Sequence, residues 1–195
     1  DFKNYTEPFK IGELIDCDVL GQVVDGSVDG YPPGQLVTGR LGWQEYAIAS
    51  PEQLIAISAE FSETLWLTAL SSPGLTAYCA LDLFGRPMPG QTLVVTSAAG
   101  AVGSFAIQLG KLAGMRVIGI TGNKEKSRKV IEQLGADDCL EHNNPLFAHN
   151  LANTCPDGVN LFFDTLGGAI GDIVYENLAK YAQVIIVGRT ISNNS

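Results

Sequence analysis

Residues 91–114 read QTLVVTSAAGAVGSFAIQLGKLAG. The opening run, Thr92 to Thr96, is apolar and β-branched, the composition of a strand buried on both faces. Small residues follow, with Ala98, Gly100 and Gly103 in the three glycine places of a GxGxxG turn. Val102, Phe105, Ala106, Leu109, Leu112 and Ala113 then recur at helical spacing. Strand, tight turn and helix in immediate succession are the context that gives this short pattern meaning. In a dinucleotide site Gly100 lets backbone approach a pyrophosphate, and Gly103 lets the helix pack on the strand. The first helical N–H groups then face the anion. Ala98 in the first glycine place predicts a slightly different turn. The same succession also closes strand–helix units in other α/β proteins, so the surrounding chain must decide.

Downstream, strands expected at Arg116–Thr121, Asp138–Leu140, Val159–Asp164 and Gln183–Gly188 alternate with helices at Lys124–Leu134, Leu146–Thr154 and Ile170–Lys180. Such alternation implies βαβ units and a doubly wound parallel sheet with right-handed crossovers. With the Thr92 strand this makes five strands, where a complete dinucleotide fold usually has six. Both ends of the chain are therefore expected to be cut. Upstream, residues 1 to about 58 read as β-rich, with short strands at Val19–Val24, Gln35–Thr38, Glu45–Ile48 and Gln53–Ile57. A turn-rich stretch through Asp25, Gly26, Asp29, Gly30, Pro32, Pro33 and Gly34 separates the first two. Ser62–Leu70 reads as a helix capped by Ser62, interrupted at Pro73-Gly74 and resumed over Leu75–Leu83. Phe84–Gly90 connects it to the central strand.

The 195 residues are 46% apolar and 17% charged, enough for a sizeable core. Twelve Lys and Arg against 21 Asp and Glu leave a net charge of −9, which speaks for solubility and against nucleic-acid or anionic-membrane partners. The opening DFKNYTEPFK has no apolar core of a signal peptide, and no apolar run reaches the ~18 residues of a membrane span. Cys17, Cys79, Cys139 and Cys155 are scattered with no C-x-x-C pair, which predicts neither zinc site nor disulfide framework but reduced thiols in the cytoplasm. Cys79 and Cys139 read as core residues.

A NAD-preferring site wants an acid at the end of the second strand, yet that strand closes on Ile120-Thr121-Gly122-Asn123. Lys124, Lys126 and Arg128 follow, cations that would favour the extra phosphate of NADP, with Thr121 and Asn123 as hydrogen-bond donors to it. The alternative is a solvated helix face carrying a Glu125–Lys129 pair. His142 either approaches the adenine or phosphate or is an exposed loop histidine, and His149 reads as surface. Asp164 reads as a cap or turn former. Trp43 and Tyr46 read as packing at a strand edge, or alternatively as facing a substrate cleft. Two histidines and no nucleophile motif give no support to hydrolytic triads.

Five segments carry a resemblance: Leu41-Gly42-Trp43-Gln44-Glu45-Tyr46, Pro73-Gly74-Leu75-Thr76-Ala77-Tyr78, Ala98-Ala99-Gly100-Ala101-Val102-Gly103, Cys155-Pro156-Asp157-Gly158-Val159 and Phe163-Asp164-Thr165-Leu166-Gly167-Gly168. Taken in order they resemble the zinc-free medium-chain dehydrogenase/reductases, most closely the prostaglandin-reductase-like alkenal/one reductases. The resemblance implies part of a GroES-like β domain over residues 1–68 and an incomplete Rossmann domain over 69–195. It implies an enzyme that reduces the carbon–carbon double bond of α,β-unsaturated aldehydes and ketones with NADPH. Hydride goes to the β carbon, and a proton from solvent or an enzyme group to the α carbon. No metal and a homodimer are implied with it. The cofactor-binding positions it implies are Thr76, Ala99, Gly100, Ala101, Val102, Gly103, Gly122, Asn123, Lys126, His142 and Gly188. Lys126 falls on the family's 2′-phosphate lysine, while His142 replaces a tyrosine near the same phosphate. Ser192-Asn193-Asn194 stands where the family's tyrosine near the nicotinamide ribose would be, so no catalytic residue is assigned. A zinc-free quinone reductase and a non-catalytic NADPH-binding protein are the competing readings.

Overall fold

The computed structural model describes residues 8–26 and 30–188; Asp29 of the expected turn and the Ser192-Asn193-Asn194 run lie outside them. The chain divides into two compact units, Asp1–Ser72 and Pro73–Ser195.

The first unit holds an antiparallel sheet in the order β1 (Asp18–Gln22), β2 (Leu36–Arg40), β3 (Ile55–Ala56). β1 and β2 pair from Asp18 opposite Arg40 to Gln22 opposite Leu36. The strand expected at Glu45–Ile48 does not form. At Gly42, φ +75°, the chain turns aside, and the N–H groups of Gly42 and Trp43 bond the carbonyls of Cys17 and Ile15. Among the described residues no strand pairs with 45–48, and a short segment without a ladder has nothing to hold it extended. Trp43 and Tyr46 are accordingly 75% and 77% exposed, so strand-edge packing is not their role. Pro51–Gln53 forms a single 3₁₀ turn, which confines β3 to two residues. α1 (Glu63–Leu67) begins after an extended Ser62, whose hydroxyl makes no capping bond.

The helical break falls at residues 68–71, ahead of Pro73 rather than at it. Pro73 lies in the first turn of α2 (Ser72–Cys79), where its missing N–H has no carbonyl to lose. A π turn, Ala80–Gly85, extends the helix to Arg86. Beyond it the sheet of the second unit is entirely parallel, in the order β6 (Asp138–Glu141), β5 (Arg116–Thr121), β4 (Thr92–Val95), β7 (Val159–Asp164), β8 (Leu178–Ile186). The pleat of β4 sends Leu93 and Val95 to one face and Val94 to the other. Leu93, Val95, Val117 and Phe163 pack with Ala106 and Ile107 of α3 (Ala101–Leu112) and Val130 of α4 (Lys124–Glu132). Val94, Ile118, Ile120 and Phe162 pack with Phe147 and Leu151 of α5 (Phe147–Thr154) and Val174 of α6 (Gly168–Tyr175). Helices on both faces of a parallel sheet make this unit Rossmann-like and doubly wound.

Three expectations change here. α6 stops at Tyr175, and residues 178–180, expected as helix, belong to β8 beside Val159. The β8 ladder then shifts register, with Tyr181 at φ +64° in the bulge. The glycine that lets α3 lie against the strands is Gly110, whose added Cβ would stand 2.5 Å from Leu93 Cδ2 and 3.0 Å from Val117 Cγ2. Gly103 instead faces backbone of the turn at Ser97 and Ala98. Cys79, expected in the core, is exposed, while Cys155 is buried and Cys139 half-buried. Burial pushes both of the latter thiols up, away from reactivity.

Candidate dinucleotide site

At the carboxyl ends of β4 and β5 lies a cavity of about 220 Å³. The β4–α3 turn contributes Ser97, Ala99 and Gly100 to it, and β5 with its following turn contributes Ile120, Thr121 and Gly122. Lys126, His142 and Leu166 complete the lining. A crevice beyond the strand ends, beside the central strand, is where open α/β sheets take ligands.

The β4–α3 turn is held by main chain. Ala98 N–H donates to the Ile120 carbonyl at 3.1 Å, and Gly100 N–H to the Ser97 carbonyl at 2.8 Å. The Gly100 N–H is thus spent within the turn. The orphan donors are those of Ala101, Val102 and Gly103, the first three residues of α3, since the ladder begins with Ser104 N–H on the Gly100 carbonyl. Gly100 is demanded by the turn itself, because a Cβ there would stand 2.9 Å from Ser97 Oγ and 3.0 Å from Ser97 O.

The β5–α4 turn is held by side chains. Asn123 Oδ1 accepts Lys126 N–H at 3.0 Å and caps α4. The Thr121 and Ser127 hydroxyls each stand 3.2 Å from the Asn123 carbonyl and 2.7 Å from each other, so that one donates to the carbonyl and the other to its neighbour. The Thr121 hydroxyl, expected to reach for a phosphate, is therefore consumed inside a residue that is 3% exposed. The Asn123 side-chain oxygen is engaged by the cap, and the group this residue could donate from is its amide NH2. Of the expected cations Lys124, Lys126 and Arg128, Lys126 alone lines the cavity and Arg128 leans to Glu132 at 3.9 Å; the Glu125–Lys129 pair of the alternative reading forms at 3.0 Å. Gly122 makes room for His142: an added Cβ would stand 3.2 Å from His142 Nε2. No carboxylate is among the described lining residues.

Residues 101–195 match the family model described as zinc-binding dehydrogenase, and residues 1–57 that of the N-terminal domain of oxidoreductase. The chain is 37% identical over 196 residues to an NADPH-dependent curcumin reductase of Escherichia coli, covering all of this chain and 57% of that one. It is 31% identical to a 2-alkenal reductase (NADP(+)-dependent) of Nicotiana tabacum, over 95% of this chain and 55% of the relative. The crystal structure of CurA in complex with NADPH from Vibrio vulnificus is 36% identical and superimposes with a TM-score of 0.92, over 100% of this chain and 58% of that one. The chain belongs to the medium-chain dehydrogenase/reductase superfamily. It spans little more than half the length of these superfamily relatives.

Against that superfamily pattern, Ala99, Gly100, Gly122, Lys126 and His142 meet in one cavity, with Ala101, Val102 and Gly103 in the first turn of α3 beside it. Thr76, in α2, and Gly188, just past β8, do not line it. Gly188 lies instead against the Thr165 carbonyl, 3.1 Å from where a Cβ would be. Asp164 is the turn former: 1% exposed, its Oδ1 accepts the Thr96 hydroxyl at 3.1 Å and the N–H groups of Leu166 and Gly167 at 3.0 Å. His149 is bonded to Asn153 on the exposed side of α5. Among the described residues no three His, Cys, Asp or Glu side chains group closely enough to hold a metal ion, and no helix is long and apolar enough to cross a membrane. Ser97 and Leu166 were not legible as lining residues, Ser97 because it precedes the glycine pattern and Leu166 because it arrives from a distant turn.

Proposed function

We propose that the protein is a zinc-independent, NADPH-dependent reductase of the carbon–carbon double bond of α,β-unsaturated aldehydes and ketones. The observation that carries this reading is the cavity, with Lys126 and His142 in its lining, no described carboxylate, and the unpaired N–H groups of α3 beside it. That donor set fits NADP. The Lys126 ammonium would meet the 2′-phosphate and the first-turn N–H groups of α3 the pyrophosphate, while Gly100 and Gly122 serve the cavity by letting Ser97 and His142 come close. When bound, NADPH supplies the hydride; the chain's own part is to hold and orient the cofactor and to keep its phosphates paired. The alkenal and curcumin reductases among the relatives support an enone as acceptor. Residues 1–68 are read as part of a GroES-like substrate domain, and the protein as a cytoplasmic homodimer acting on small molecules. Thr76, Asn123 and Gly188 remain proposed cofactor contacts through atoms outside this cavity.

The test is NADPH oxidation by the full-length protein with a panel of enones, enals and quinones, with product analysis. Consumption of NADPH with a saturated carbonyl product is expected. Turnover of quinones alone would favour the quinone-reductase reading, and tight NADPH binding without turnover a non-catalytic one.

A further inference from the structure

We infer that Ser97 is a cofactor-binding residue whose hydroxyl donates to a pyrophosphate oxygen of the bound dinucleotide; the inference rests on the functional reading above. Ser97 lies two residues past β4 and stands at φ +48°, a left-handed conformation that side-chain-bearing residues seldom adopt unless their surroundings impose it. The surroundings here are the Gly100 N–H on its carbonyl and the adjoining Ala98 N–H on Ile120. Strained residues of this kind gather where a ligand is held.

The conformation places Ser97 Oγ beside Gly100, 2.9 Å from the point a Cβ there would occupy, and Ser97 is one of the residues that line the cavity. Two other hydroxyls stand at these strand ends, and both are spent. Thr96 bonds Asp164 and accepts the Thr165 N–H, and Thr121 bonds Ser127 and the Asn123 carbonyl. No hydrogen bond among the described residues engages Ser97 Oγ. An unspent hydroxyl on the cavity, next to the first-turn N–H groups of α3, is a donor to the same anion those groups address. Because the pyrophosphate is common to both cofactors, the contact acts on NADPH and NADH alike, unlike Lys126.

Two variants of the full-length protein test this. Ser97→Ala removes the hydroxyl and keeps the left-handed strain, whereas Ser97→Gly removes both. NADPH and NADH are titrated by cofactor fluorescence, and melting temperatures are recorded. Both variants should bind both cofactors roughly tenfold more weakly, the loss of one hydrogen bond to a charged acceptor. Ser97→Gly should melt at or above the wild type, since the strain is released. Wild-type affinity in Ser97→Ala overturns the role, as does a loss confined to Ser97→Gly or to NADPH. If the wild type binds neither cofactor, the functional reading fails and this role with it. If the wild type binds and Ser97→Ala binds as tightly, the role alone fails.

Discussion

Replacing Lys126 by alanine separates a phosphate-binding cation from a solvated helix residue. Lys126 is exposed at the third position of α4 and lines the cavity, while its own N–H is held by Asn123 Oδ1. Its helical role is therefore main-chain and survives the substitution, since alanine is the better helix former. A charge-assisted hydrogen bond contributes about 1.5–3 kcal/mol, and the open, hydrated position of this ammonium argues for the lower end. About 1.5 kcal/mol corresponds to about a tenfold weaker NADPH complex. NADH carries no group at that place and should bind with nearly unchanged affinity. Arg128 and Lys129 are drawn toward Glu132 and Glu125, which leaves Lys124 as the cation to replace in a parallel control. Fluorescence titration of both cofactors at two salt concentrations is the assay. The preference for NADPH should also shrink in high salt, because an exposed pair is screened beyond about 10 Å at 0.1 M. Equal loss for both cofactors, or no loss for either, would refute the assignment.

Gly110→Ala should destabilise the second unit by about 1–2 kcal/mol. The new methyl meets Leu93 and Val117, both wholly buried, and the better helix propensity of alanine offsets only part of the overpacking. An unchanged or higher urea midpoint would show that α3 can shift to admit it. Asp137 accepts Lys111 Nζ at 2.7 Å and Val117 N–H at 2.6 Å. Burial works to raise its carboxyl, but the Lys111 ammonium and the Val117 N–H outweigh it and hold the group below the usual range. A depressed carboxyl contributes stability above its unfolded value, near about pH 4, and loses it as pH falls through the lower folded value. Asp137→Asn should thus cost about 1 kcal/mol at neutral pH, allowing for solvent screening, with the gap closing in acid. A gap that stays constant down to about pH 2 would assign the effect to packing instead. The purified full-length protein should carry no stoichiometric zinc, and chelation should leave NADPH oxidation unchanged; zinc lost together with activity would contradict this.

What the sequence determined is what neighbouring residues decide among themselves. The bounds of β5 and β7 follow from β-branched and apolar runs, and α3 and α4 follow from helical spacing closed by Gly114 and Gly135. The missing acid after β5 and the lysine at 126 were visible for the same reason. Pairing across the chain decided the rest. Glu45–Ile48 reads as a strand and forms none, because Gly42 turns the backbone aside and no described strand pairs with it. Leu178–Lys180 continues a helical pattern yet lies in β8, because Val159 stands alongside and its N–H finds the Asn177 carbonyl. Which glycine lets α3 approach the sheet depends on Leu93 and Val117, and whether Thr121 can reach a ligand depends on Ser127. His142 shares a cavity with Lys126 only because parallel β5 and β6 end side by side, with Thr121 opposite Glu141. A parallel sheet brings its sites together from separate strand ends, each supplied by a crossover, so the residues of the cavity are neighbours in space without being neighbours in sequence.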